Sequence, residues 1–93
     1  MKGSGGAATQ ICSHRLDHRF YSLPAQIQER IQERIDELGR NLRGFPHYRM
    51  QGVQGFRLRV GDYRIIYEFN VEKNELHLIA VGNRREIYKQ SFN

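Results

Sequence analysis

Apolar residues recur along this chain in two different rhythms. Between residues 27 and 42 they stand at Ile27, Ile31, Ile35, Leu38 and Leu42, while Gln28, Glu29, Arg30, Gln32, Glu33, Arg34, Asp36 and Glu37 fill the other positions. Spacings of four, four, three and four put all five on one side of an amphipathic helix and leave a solvated outer face. Gly39, Gly44 and Pro46 predict its end near residues 39–43. Upstream, "ATQIC" is a β-prone stretch that predicts a short N-terminal strand, and Ser13 suits the N-cap of a first helix beginning near His14. Leu16, Phe20 and Leu23 give that helix one apolar side. The break at "SLP" then places Ser22 or Leu23 just before the second helix, with Pro24 in its first turn.

Beyond "GFPHYRMQG" the period falls to two. Phe56, Leu58 and Val60 alternate with Arg57 and Arg59, and Gly61-Asp62 supplies a two-residue turn into a return strand from Tyr63 to Val71. A second turn at Lys73-Asn74 leads to "ELHLIAV", which ends at Gly82. The element order is β-α-α-β-β-β with a short C-terminal segment. It predicts an α+β fold, two N-terminal helices packed on a largely antiparallel four-stranded sheet.

The two-residue turn fixes which residues oppose each other, and directly opposed residues share a face. Phe56, Leu58, Val60, Tyr63, Ile65, Tyr67 and Phe69 form the bed for the helices, joined by Leu76, Leu78 and Ala80 through the second turn. Arg57, Arg59 and Arg64 gather around Ile66 on the other face, with His77, Ile79 and Val81. Arg59 opposite Arg64 costs about 0.2–1 kcal/mol, which a bound anion would remove. Exposed strand arginines also serve simply as a solvated surface, neutralised by Glu68, Glu72, Glu75 or Glu86, so spacing alone leaves both readings open.

Composition sharpens the choice. The 93 residues suit one small domain, with residues 1–7, small and Gly-rich, as a flexible lead and residues 8–93 as the domain. A net charge of +5 is carried mostly by arginine, since of the 15 cationic residues only Lys2, Lys73 and Lys89 are lysines. The planar guanidinium fork matches phosphate oxygens, which favours a nucleic acid or an acidic protein as partner. Arg84, Arg85, Tyr88 and Lys89 follow the last strand in "VGNRREIYK", a phosphate-plus-stacking combination suited to RNA. Cys12 is the only cysteine, so no internal disulfide forms and a reducing compartment is expected. His14 and His18, four apart, are two ligands without a third, and no metal or cofactor is expected. No run of about 18 apolar residues and no hydrophobic N-terminal signal is present, so a cytoplasmic protein without a membrane partner is expected.

"MQGVQGFRLRVGDYRIIYEF" followed by "LHLIAVGNRREIYK" resembles the RelE side of the RelE/ParE toxin superfamily, and "LPAQIQERIQERIDEL" is similar to that family's second helix. The likeness runs over roughly residues 10–90. It implies a microbial RNase-like fold and the toxin of a type II toxin–antitoxin pair. Such a toxin is a metal-free endoribonuclease that cleaves mRNA in the ribosomal A site, held inactive by a RelB-like antitoxin. Residue by residue, the resemblance implies that Arg64 binds phosphate and that Arg84 stabilises charge on the scissile phosphate or leaving oxygen. It implies also that Tyr88 stacks on or orients the cleaved nucleotide, while Arg57 lies where some members have a lysine proposed as proton acceptor. Arg59, Arg85 and Lys89 would add RNA contacts.

In this chemistry the 2′-OH attacks its adjacent phosphate, leaving a 2′,3′-cyclic phosphate and a 5′-OH, and it calls for a proton acceptor, a proton donor and cations. Arginine fills only the last role, its pKa lying above about 12. Where some members place a C-terminal histidine this chain has "YKQSFN", which leaves His47, His77, Glu68 and Glu86 as titratable candidates. A ParE-like inhibitor of DNA gyrase and a non-catalytic basic RNA-binding domain are the alternatives. Codon-position cuts would mark the nuclease, and lost DNA supercoiling the gyrase inhibitor.

Overall fold

The computed structural model describes residues 6–49 and 54–89, the side chains of Tyr88 and Lys89 excepted. The "MQGV" of the lead-in, most of the Gly-rich lead and the last four residues therefore lie outside the described residues. Within them the order is β1 (Thr9–Cys12), α1 (His14–Phe20), α2 (Ala25–Arg40), β2 (Tyr48–Arg49), β3 (Phe56–Val60), β4 (Tyr63–Asn70), β5 (Glu75–Asn83) and α3 (Arg84–Lys89). The sheet order is β1-β5-β4-β3-β2. β1 runs parallel to β5 and every other pair is antiparallel. The sheet thus has five strands where the alternation predicts four. β2 is two residues long, too short to show a period, and pairs with Phe56 and Arg57.

Local chemistry sets the helices as expected at most points. Ser13 caps α1, its Oγ accepting from the Leu16 N–H at 3.0 Å, while its own hydroxyl donates to the Ile79 carbonyl at 2.6 Å and ties the cap to β5. α2 starts after Pro24, which offers no side-chain cap, so neither Ser22 nor Leu23 is the boundary residue. Its apolar stripe buries Ile31, Ile35 and Leu38 against Leu58, Val60, Ile65, Tyr67, Leu76 and Leu78. Each such aliphatic side chain removed from water stabilises the fold by about 1.5–3 kcal/mol.

The β3–β4 register is the expected one, with Val60 opposite Tyr63, Arg59 opposite Arg64, Leu58 opposite Ile65, Arg57 opposite Ile66 and Phe56 opposite Tyr67. The β4–β5 pair corrects two expectations. Its turn is longer than Lys73-Asn74: Asn70 pairs with Glu75, and Asn74 takes a positive φ of 54°. More consequentially, Tyr67 pairs with Leu78 but Ile66 pairs with Ala80, so Ile79 is the extra residue of a β-bulge. One inserted residue reverses the in–out parity of everything after it. Ala80, expected in the main core, instead packs with Ile66 on the opposite face, and Val81, expected beside the arginines, joins the main core.

That reversal creates a second, smaller core. Ile66 and Ala80 receive Ile87 of α3, which is fully buried. The C-terminal segment is therefore a helix seated on the face away from α1 and α2. Six residues do not sustain a helix alone. α3 is held by Ile87, by a reciprocal cap in which Asn83 Oδ1 accepts from the Glu86 N–H at 2.9 Å and Glu86 Oε1 from the Asn83 N–H at 3.2 Å, and by an ion pair to α1. No helix among the described residues is long and apolar enough to cross a membrane.

Candidate functional site

Arg59 and Arg64 stand directly opposite each other on the face that α3 partly covers. Arg59 is exposed, Arg57 is half-buried, and Arg64 is 7% exposed, the one charged residue buried among the described residues. Its cross-strand neighbour in β5 is Gly82, over which the Glu86 side chain packs. Arg64 turns toward the hairpin tip, where Nη1 donates to the Tyr63 carbonyl at 3.3 Å and, at the limit of a hydrogen bond, to the Gly61 carbonyl at 3.5 Å. Its Nε is buried and has no acceptor. An orphaned buried donor costs about 1–3 kcal/mol, more on a charged group.

The tip of the same hairpin anchors α3: the Arg84 N–H donates to the Asp62 carbonyl at 3.1 Å. Arg84 and Arg85 are both exposed at the start of this helix. Arg59, Arg64, Arg84 and Arg85 thus come from backbone positions grouped at one end of the sheet. Arg57 sits two inter-strand pairs further along, about 7 Å from Arg59 by strand geometry. Tyr88 and Lys89 fall in the last turn of α3, and their side chains lie outside the described residues. Among the described residues no carboxylate pairs with Arg57, Arg59, Arg64, Arg84 or Arg85. Glu75 pairs with His77 and Glu86 with Arg19, so two of the four acids expected to neutralise the face are engaged elsewhere.

The titratable candidates separate by position. His47 lies on the opposite face, its ring stacked on Phe69 with centroids 4.1 Å apart. Nε2–H donates to the Leu42 carbonyl at 2.8 Å, so Nδ1 accepts from the Tyr67 hydroxyl at 2.7 Å, the tautomer assigned from these partners. Burial pushes the Tyr67 phenol up to about 12, keeping it a donor. Glu86 is bound through Arg19, whose side-chain hydrogen bonds hold the carboxyl below the ordinary carboxylate range, aided by the Asn83 N–H. Glu68 and His77 oppose each other on the arginine face, but Glu68 is four residues from Arg64 along β4, about 13 Å, and Arg64 points the other way. Of the four titratable candidates none therefore stands free beside Arg64.

Sequence reasoning missed Arg19. It comes from α1, donating from Nε to Glu86 Oε2 at 2.7 Å and from Nη2 to Oε1 at 2.5 Å. The readable signal was "NRRE" at 83–86, an Asn cap with a glutamate three residues on, which foretells α3 and fixes Glu86 at its start. His14 and His18 are exposed on α1, and among the described residues no third ligand joins them.

Residues 13–88 match the family model described as the ParE toxin of the type II toxin–antitoxin system parDE. The sequence has no significant match among curated proteins. Among solved structures, the fold resembles that of the RelBE2 toxin–antitoxin complex of Mycobacterium tuberculosis, with 24% identity and a TM-score of 0.68 over 84% of this chain and 92% of that one. The archaeal RelE–RelB complex of Pyrococcus horikoshii gives 22% identity and a TM-score of 0.68 over 85% and 97%. The isolated E. coli RelE toxin gives 20% and 0.70 over 89% and 93%. At these identities the structural likeness speaks for the fold, and the family match covers most of the sequence: the chain belongs to the ParE toxin family of type II toxin–antitoxin systems, within the RelE/ParE superfamily.

Proposed function

We propose that the chain is a toxin that cleaves ribosome-bound mRNA, with the arginine face as its RNA site. The observation that carries the reading is Arg64, a buried guanidinium with an unfilled donor, opposite Arg59 and beside the start of α3. In this reading Arg64 and Arg84 hold the scissile phosphate and neutralise charge as the 2′-OH attacks. Arg57, Arg59, Arg85 and Lys89 bind the strand on either side, and Tyr88 orients the cleaved nucleotide by stacking. With none of the four candidates free beside Arg64, the rate enhancement in this reading comes from orientation and electrostatic stabilisation, and ribosomal RNA supplies what else the proton transfers need. A RelB-like antitoxin, through an amphipathic helix or extended segment, would cover the basic face or displace α3. The site of action is the cytoplasm, where ribosomes are.

That none of His47, His77, Glu68 and Glu86 stands free beside Arg64 favours a second reading, a ParE-like inhibitor of DNA gyrase that uses the same cations to bind rather than to cleave. Incubating the chain with translating ribosomes and mapping new RNA ends separates the two. Cuts at codon positions with 2′,3′-cyclic phosphate ends support the nuclease. Intact mRNA with lost supercoiling of plasmid DNA by gyrase supports the inhibitor.

A further inference from the structure

The hairpin tip is flanked by guanidinium groups on both sides. Gly61 has φ of +60°, and a Cβ built on it would lie 3.4 Å from Arg30 Nη2, which reaches over the turn from α2; on its other side the Gly61 carbonyl faces Arg64. Arg30 is at the edge of a cavity of about 300 Å³ lined by Ile27, Val60, Asp62 and Tyr63. A second cavity, of about 260 Å³, continues from Arg30 to Arg59 and Arg34. The two share Arg30, Val60 and Gly61 and so form one groove between α2 and the tip. Beyond Arg57, β3 has no outer strand partner among the described residues, so Arg59 stands at an open sheet edge where it reaches both this groove and the arginine face.

Within the groove Arg34 is engaged by Glu37 and lies over the Phe45 ring. Glu33 and Asp62 line its walls, yet among the described residues neither pairs with Arg30 or Arg59. We propose that this groove holds a second phosphate of the bound RNA strand, so that the strand leaves Arg64 over the hairpin tip and is gripped by Arg59 and Arg30. The charge complementarity is that of a polyanion against unpaired guanidinium groups, and Gly61, lacking a Cβ, lets the backbone pass close to both. The proposal rests on the RNA reading of the arginine face and extends its substrate to a strand longer than the cleaved dinucleotide.

The test is the salt dependence of binding of labelled 2′-O-methyl oligonucleotides, which cannot be cleaved, to the full chain. Each phosphate contact contributes about 0.7 to the slope of log affinity against log salt for a single strand. Arg30→Gln is expected to reduce the slope by about that amount for an oligomer of roughly nine nucleotides and to leave a trinucleotide's slope unchanged. Arg30→Lys should retain it. Arg43→Gln, an equal charge loss on the exposed loop after α2, beside Val71 and Asn74 at the other end of the fold, should alter neither. Equal shifts for Arg30→Gln and Arg43→Gln would reduce the groove to a share of the overall field and overturn the proposal. An unchanged slope in Arg30→Gln with tight wild-type binding would overturn it while leaving the RNA site intact. A Glu-rich peptide whose binding alone responds to Arg30→Gln would assign the groove to a protein partner instead. A wild-type chain that binds no oligonucleotide of either length overturns the RNA reading and the groove together.

Discussion

Arg19 and Glu86, 67 residues apart in sequence, are joined by two hydrogen bonds that run between the parallel edges of a guanidinium and a carboxylate. The pair reaches from α1 on one face of the sheet to α3 on the other. Because Glu86 also accepts from the Asn83 N–H, one carboxylate both caps α3 and fastens it to the N-terminal half of the fold. The helix so fastened carries Arg84 and Arg85 to the hairpin tip. An interaction that looks like a surface salt bridge therefore sets the position of half the candidate site.

This pair gives the fold an acid-sensitive component. Arg19 holds the Glu86 carboxyl below the ordinary carboxylate range in the folded state, so its stabilisation is complete above that range. It is lost as pH falls through the lowered folded-state value. Both side chains are about a third exposed, at 34% and 29%, so Arg19→Gln should cost no more than about 1 kcal/mol at neutral pH. Urea unfolding of wild type and variant, at neutral pH and again in acid, should show a difference that shrinks on acidification.

Gly82→Ala tests the seating of α3 from the other side. The added Cβ would lie 3.0 Å from Glu86 Cβ, a contact tight enough that Glu86 must give by a few tenths of an ångström. Faster amide hydrogen exchange across residues 84–89 is expected, with reduced growth inhibition and little change in the main core, since Ile87 packs in the separate smaller cluster.

On the opposite face the sensitive pair is Tyr67 and His47. Tyr67→Phe leaves His47 Nδ1 without its donor and should cost about 1–3 kcal/mol in denaturant unfolding. Wild-type stability should also decline in alkali. The buried Tyr67 phenol titrates at about 12 in the fold against 10.0 ordinarily, so the unfolded chain ionises first and stability falls as pH rises between the two values.

Much of this was legible because hairpin register follows from turn length. Gly61-Asp62 alone put Arg59 opposite Arg64 and Leu58 opposite Ile65, as the structure has them. The helices were equally readable, α2 from its apolar period and α1 from its Ser13 cap. The bulge at Ile79 was not, because "HLIAV" is apolar at four of five positions and an inserted residue leaves no mark on a pattern that lacks alternation. That one residue moved Ala80 and Val81 to the faces opposite those expected and made the seat for Ile87. Arg64's burial was likewise hidden, since it depends on Gly82 across the strand pair and on α3 above.

Function and stability should part company at Arg64. Its buried Nε has no acceptor, so Arg64→Met removes an unsatisfied charged donor and should leave the unfolding midpoint unchanged or higher. Growth inhibition should nonetheless be abolished. Retained growth inhibition in Arg64→Met would remove Arg64 from the site.

The most direct test of the account is primer extension on an mRNA under translation, with wild-type chain, Arg64→Ala and Arg84→Ala. Codon-positioned cuts by wild type, reduced at least about a hundredfold in each variant, are the predicted result, in keeping with the loss of one transition-state electrostatic partner. Uncut mRNA with wild-type chain under conditions where it arrests growth, together with loss of gyrase supercoiling, would contradict it.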